Sequence, residues 1–217
     1  MGDSEVKVTI SIVTAVKSPQ VYQKCLLSSV PSGIEALSDH GRTSIAKVYN
    51  EIAALAEGDI LGFVHEDVTF LDNTWPQQVE RLFQKRPFLG VLGFVGSSHL
   101  TIDGRWWFTG QRHGRFYQRK TLVTYDRTEG IFSDVEGIDG LALFTPKKLW
   151  QAIKFDETIP GFHFYDVDYC TAVRTTGKKL GVLSLLLRHE SNGSLGLKWE
   201  IARRVFQQKW AGKLPVR

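Results

Sequence analysis

His65 and Asp67 stand two residues apart at the end of the apolar run Ile60-Leu61-Gly62-Phe63-Val64. Side chains two apart in extended backbone point the same way, so an imidazole and a carboxylate here could grip one cation. A nitrogen and oxygen pair suits manganese or another transition ion better than calcium, with magnesium also open. The same two residues could simply solvate a loop. Asp166 and Asp168 form a second acidic pair in the stretch Gly161-Phe162-His163-Phe164-Tyr165-Asp166-Val167-Asp168. Aromatic surroundings raise a carboxylate's pKa and can make it a general base. If a helix starts there, residues two apart do not face each other, so only one need be catalytic and the other serves as an N-cap or dipole partner. His189, past the apolar run Leu180–Leu187, is a candidate third ligand or a solvated loop histidine.

A third constellation is basic and aromatic: Arg105-Trp106-Trp107-Phe108, Arg112-His113-Gly114-Arg115-Phe116-Tyr117 and Arg119-Lys120. Its cations could hold an acidic acceptor, and Trp106 and Trp107 could stack on a sugar ring or meet a lipid. Alternatively these residues pack a hairpin.

Strands and helices must position these groups. Val6–Val16 is nearly continuous in apolar character, as a strand covered on both faces should be. Ser18-Pro19 supplies an N-cap and first-turn proline for a helix to about Leu27. Ile45, Val48, Tyr49, Ile52, Leu55 and Ala56 recur at helical spacing from Thr43-Ser44, with Gly58 as a stop. Ile60–Val64 is a buried strand, Thr74 with Gln77 resembles a capping box for a helix through Phe83, and Leu89–Val95 is a further strand. Ser97–Ser133 reads as a hairpin or long functional loop. Val135–Phe144 is a strand, Pro146 opens a short helix through Trp150, a helix ends at Gly177, Leu180–Leu187 is a strand and Trp199–Trp210 a closing helix. Asn192-Gly193-Ser194 reads as a turn. Alternating strands and helices predict an α/β sheet, whose ligands bind beyond the carboxyl ends of its strands.

Composition sets the class. The 217 residues, 42% hydrophobic and 23% charged, suit a single globular domain over 1–217 rather than disorder or a membrane bundle. A net charge of +4 is too small to announce a nucleic-acid binder. Cys25 and Cys170 build no disulfide framework. Without a signal peptide, a myristoylation motif or eighteen consecutive apolar residues, the expectation is a cytoplasmic chain, with contact at the inner membrane surface left open.

Gly41-x-x-Ser44 followed by Asn50, Ala56-x-Gly58-Asp59-Ile60 and Phe63-x-His65-x-Asp67 resembles the family-2 glycosyltransferases. Val135-Glu136-Gly137-Ile138-Asp139, Phe155-Asp156-Glu157, Gly161–Asp168, Gly177-Lys178-Lys179, His189-x-Ser191-x-Gly193 and Phe206-x-x-Lys209-Trp210 are similar to the branch named after a streptomycin-biosynthesis glycosyltransferase. The resemblance covers nearly the whole chain. It implies a GT-A fold, a mixed and mostly parallel sheet flanked by helices. It also implies a nucleotide-sugar donor, a divalent ion (Mn or Mg), inversion, and a glycan, lipid-linked or small-molecule acceptor.

Carried over, Asp67 matches the last acid of the Asp-x-Asp motif, with His65 in place of the first. Asp166 matches the proposed base, with Asp168 secondary, and His189 matches the C-terminal metal-site histidine. Thr14 and Asn50 fall on the donor side, where the base-binding acid is Glu35 or Asp39. Trp106, Trp107, Asp139 and His163 fall on the substrate side. Tyr49 replaces the arginine that often precedes the motif asparagine. A nucleotidyltransferase on a similar sheet and a binding module using residues 105–120 remain as alternatives.

Overall fold

The computed structural model describes residues 8–40, 44–108, 110–126, 130–193 and 195–214. The expected contributions of Val6, Gly41, Thr43 and Ser194 lie outside the described residues.

Apolar side chains alternate across the central strands. Ile12 of β1 (Ile10–Val16) and Val64 of β3 (Ile60–Val64) enter one core, while Val13 and Phe63 enter a second core on the opposite face. Both faces are thus covered, which explains the unbroken apolar runs. The large sheet also contains β2 (Glu35–His40), β5 (Leu89–Gly93), β9 (Phe132–Val135), β11 (Ala142–Pro146) and β12 (Lys179–Leu183), in the order β2-β1-β3-β11-β5-β12-β9. Five of these seven strands run one way, and β11 and β9 run against them.

Helices α2 (Ile45–Ala53), α4 (Lys147–Ile153) and α5 (Tyr165–Thr175) cover one face. Helices α1 (Pro19–Lys24), α3 (Trp75–Lys85) and α6 (Leu197–Trp210) cover the other. A smaller sheet, β10-β6-β7-β13-β4, joins the second group. It is built from β4 (Val68–Phe70), β6 (Val95–Ser97), β7 (Arg112–Gln118), β10 (Gly137–Ile138) and β13 (Leu187–His189), and β8 (Thr121–Thr124) closes a hairpin on β7. Among the described residues no helix is long and apolar enough to cross a membrane.

Several expectations change in detail. Ser18 caps α1, its hydroxyl accepting from Val21 N, but the helix ends at Lys24 and a 3-10 turn follows. Thr74 makes no side-chain cap; the Asp72 carboxylate accepts from Thr74 N and Oγ1 instead, so the capping-box reading is corrected. The run Leu89–Val95 and the run Leu180–Leu187 each divide between the two sheets, and Val135–Phe144 divides into β9, β10 and β11. Gly58 is not a helix stop: α2 has ended at Ala53, and a Cβ at Gly58 would lie 2.5 Å from Ser11 Oγ, which accepts from Gly58 N. That close approach, not turn conformation, demands glycine. The strand β2 was not anticipated.

Candidate active site

Strand pairing brings the metal candidates together. His65 follows β3, and Asp67 immediately precedes β4. In the antiparallel pair of β13 with β4, His189 faces Val68, which carries the second histidine to Asp67 across the sheet. The imidazole nitrogens of His65 and His189 and a carboxylate oxygen of Asp67 lie within 4.8 Å of one another. Asp67 Oδ1 is 3.4 Å from His189 Nε2, and Oδ2 accepts from Ser191 N at 2.9 Å.

The charges around this trio are settled by burial and pairing. Burial pushes the Asp67 carboxyl up, but its hydrogen bonds to His189 and Ser191 and the two imidazoles hold it well below the usual carboxylate range. Burial pushes His189 down, and the Asp67 carboxylate more than reverses this. Burial and the neighbouring His189 lower His65 to about 4, so its ring is neutral at pH 7. Two imidazoles and a carboxylate are a donor set for a borderline divalent ion. The trio fits such an ion, although the acid usual at position 65 is a histidine. Glu66, the residue between them, turns away and accepts from Lys17 N and Ser18 N at 2.8 Å, bracing the start of α1.

Two cavities meet at His65. One, of about 720 Å³, opens at the carboxyl ends of β1, β2 and β3 and is lined by Lys17, Asp39, His65, Asp67, Ser191 and Lys198 among others. The other, of about 500 Å³, is walled by aromatics including Trp106, Trp107, Phe162 and Trp199, together with His163, Asp139, Asp166 and Arg112. Trp107 meets Trp106 at 5.7 Å and Trp199 at 6.2 Å between ring centroids.

Asp166 enters the second cavity from the first turn of α5. Phe164 precedes this helix with a left-handed φ of 64°, held by rings of Trp199 and Phe206 at 5.3 and 5.5 Å. Packing thus fixes a backbone conformation unfavourable for a bulky residue. Asp166 Oδ2 accepts from Gly140 N at 2.8 Å. Burial, aided by the like charge of Asp139, raises its pKa to about 7. Burial also raises Asp139, whose Oδ1 accepts from Leu141 N at 2.9 Å. His163, half-buried in the same wall, is lowered by desolvation.

Other candidates are employed elsewhere. Asp168 is 2% exposed and lines neither cavity; it accepts from Lys209 Nζ at 2.8 Å and Trp210 Nε1 at 2.7 Å, fastening α6 to α5. Its secondary catalytic reading is corrected to a packing one. The Asp168→Asn substitution should cost about 1.5–3 kcal/mol, the range for hydrogen bonds to a charged group, as a lower urea midpoint with donor affinity unchanged.

Asn50 spends its amide on Phe155 N and O, Glu157 and Trp150, clamping the 155–157 segment. Thr14 is fully buried in β1, outside both cavity linings. Of the two acids left open, Asp39 lines the larger cavity, whereas Glu35 sits at the amino end of β2 and accepts from Ser11 Oγ and Glu57 N. The basic cluster disperses: Arg105 pairs with Asp103 at 2.7 Å, Arg119 donates to Glu190 O, and of its cations only Arg112 lines the aromatic cavity. Residue types alone gave no role to Tyr165, Gly140 or Ser191, although Tyr165 and Ser191 lie within the quoted motifs and Gly140 directly follows the motif residue Asp139.

Solved structures share this fold at low identity. GalNAc-T7 with UDP, GalNAc and Mn2+ superposes with a TM-score of 0.67 at 8% identity over 97% of this chain and 49% of that one. A mannosyltransferase from Pyrobaculum calidifontis with GDP-Man and Mn2+ gives 0.61 at 10% identity over 99% and 67%. S. aureus TarS with UDP-GlcNAc gives 0.58 at 11% over 86% and 59%. The chain therefore spans about half the length of the GalNAc-T7 structure, and the fold they share is GT-A. No curated protein sequence matches it. The His65, Asp67 and His189 trio, and all the residues lining the two cavities except Lys198 and Trp199, fall within residues 11–197, the stretch that matches the glycosyltransferase-like family, and to that family the chain belongs.

Proposed function

We propose that this protein transfers a sugar from a nucleoside-diphosphate donor to an acceptor hydroxyl, with inversion, assisted by a divalent ion and with Asp166 as the base. The observation that carries this reading is the meeting of two cavities at one trio of candidate cation ligands, with a carboxyl of pKa about 7 in the wall of the aromatic one.

The larger cavity suits the nucleotide. Asp39 can accept hydrogen bonds from a base or ribose, and Lys17 and Lys198 offer cations to the diphosphate. His65, Asp67 and His189 would hold the ion. When bound, it neutralises the charge that grows on the departing diphosphate. An acceptor in the aromatic cavity presents its hydroxyl to Asp166, which at neutral pH is poised between its two protonation states. Asp166 takes the hydroxyl proton as the oxygen attacks. Displacement from the face opposite the diphosphate inverts the anomeric centre. No separate acid is needed, since the leaving group departs already charged.

Manganese is the favoured ion, because two imidazoles replace the hard oxygen donors that magnesium prefers. The bound donors of the solved relatives support a UDP- or GDP-linked sugar. The ordered motifs from Val135 to Trp210 favour the streptomycin-biosynthesis-type branch.

Stacking tryptophans with a single cation favour a sugar-like acceptor over a polyanion. Arg112, whose guanidinium lies 4.5 Å from the Tyr125 ring centre, is then an acceptor contact. Arg112→Ala should raise acceptor KM roughly ten-fold, the loss of about one charge-assisted hydrogen bond, and leave donor affinity alone. Steady-state kinetics checks this, and an unchanged KM would remove Arg112 from the acceptor site. The function itself is tested by nucleoside-diphosphate release from UDP- and GDP-sugars, with and without Mn2+, in the wild type and Asp166→Asn.

A further inference from the structure

We propose that Tyr165 is a positioning residue, fixing which nitrogen of His65 faces the cation and tying that ligand to the base Asp166 through Gly140. The inference rests on reading His65, Asp67 and His189 as a cation site.

The argument is one of counting protons. Tyr165 is 3% exposed, and its hydroxyl has a single proton, donated to Gly140 O at 2.9 Å. The same oxygen lies 2.7 Å from His65 Nε2. With its proton spent, the hydroxyl can only accept there, so Nε2 carries the hydrogen of the neutral imidazole. The lone pair of the ring is then on Nδ1. A histidine ligand is commonly oriented in this way, by donation from its other nitrogen.

The hold extends to the base. Gly140 N donates to Asp166 Oδ2 at 2.8 Å, so two consecutive residues of the first turn of α5 grasp the two polar backbone groups of one glycine. A Cβ on Gly140 would lie 2.3 Å from Tyr165 Oη and 2.9 Å from Asp166 Oδ2, which leaves no room for a side chain. His65 N also donates to Leu141 O, at 3.0 Å, and Leu141 N to Asp139 Oδ1, at 2.9 Å. Residues 139–141 therefore connect the cation trio with both carboxylates. A phenylalanine at 165 would satisfy the ring packing against Tyr49 and Phe155 but leave His65 Nε2 and Gly140 O without this partner.

The test compares Tyr165→Phe with Tyr169→Phe. Tyr169 is equally buried one turn later in α5, and its hydroxyl meets Thr145 Oγ1 at 3.2 Å, away from the trio. In metal-free protein, nitrogen-15 NMR should report His65 purely as the Nε2–H tautomer in the wild type and Tyr169→Phe, and as a mixture in Tyr165→Phe. Calorimetric titration with Mn2+ should show affinity about 10–100-fold weaker in Tyr165→Phe alone, the usual cost of losing a ligand's hydrogen-bond partner. An unaltered tautomer in Tyr165→Phe, an unaltered Mn2+ affinity there, or equal weakening in Tyr169→Phe would overturn the proposal. If the wild type binds no Mn2+, the cation reading of the trio fails, whereas the tautomer measurement still decides whether Tyr165 sets the ring.

Discussion

Replacing Asp166 with asparagine should lower the rate of sugar transfer by about a hundred-fold to ten-thousand-fold, the usual cost of removing a general base, with little change in donor affinity. Asparagine preserves the shape and can still accept from Gly140 N, but it cannot take a proton. The wild-type rate should fall on the acid side of about pH 7 as Asp166 becomes protonated, and this limb should vanish in the variant.

Stability should move the other way. The folded pKa of about 7 exceeds the ordinary value of 3.8, so between these pH values the folded chain retains a proton that the unfolded chain has released. The Asp166 contribution to folding stability therefore declines as pH rises from about 4 to about 7 and remains reduced above that. Asp166→Asn escapes this decline and should be more stable than wild type at pH 8, as measured by urea denaturation. A variant that is both slower and less stable at pH 8 would point to a structural role for the carboxylate.

Asp67→Asn should have the second large effect, loss of divalent-ion binding. The carboxylate supplies the only negative charge in the trio and the charged partner of His189. The amide cannot replace that charge, although it can keep the hydrogen bond from Ser191 N. Mn2+ titration should fall to no detectable binding and ion-dependent transfer should be lost, while the urea midpoint shows that the chain still folds. Unchanged Mn2+ affinity in Asp67→Asn would exclude the trio as the ion site.

How far the sequence reveals this site depends on the kind of information each residue carries. Ile60–Val64 followed by His65-Glu66-Asp67 was readable because a buried strand is an apolar run, and its polar successors must stand at its mouth. The convergence of Asp67 with His189 depends on β4 pairing with β13, a long-range register that no local spacing encodes; the position of His189 past an apolar run left it open between a ligand and a solvated loop histidine, and the family resemblance favoured the ligand. Strand β2 escaped notice because Glu35–His40 has just two apolar residues and lies at the sheet edge, where neither face must be covered. That Asp166 and Asp168 diverge was legible from helical spacing, but the partners of Asp168, Lys209 and Trp210 in place of a helix cap, were not. The terminal Phe206-x-x-Lys209-Trp210 motif was visible as a pattern, but its task of anchoring Asp168 needed the fold.

The most direct measurement of the central claim is phosphorus NMR on chelator-quenched reactions of wild-type protein with UDP- and GDP-sugars, Mn2+ and a panel of sugar acceptors. The account predicts a nucleoside diphosphate as the new phosphorus species, absent when the ion is withheld and strongly reduced in Asp166→Asn. Pyrophosphate as the released species, or nucleoside-diphosphate release indifferent to both the ion and Asp166, would contradict it.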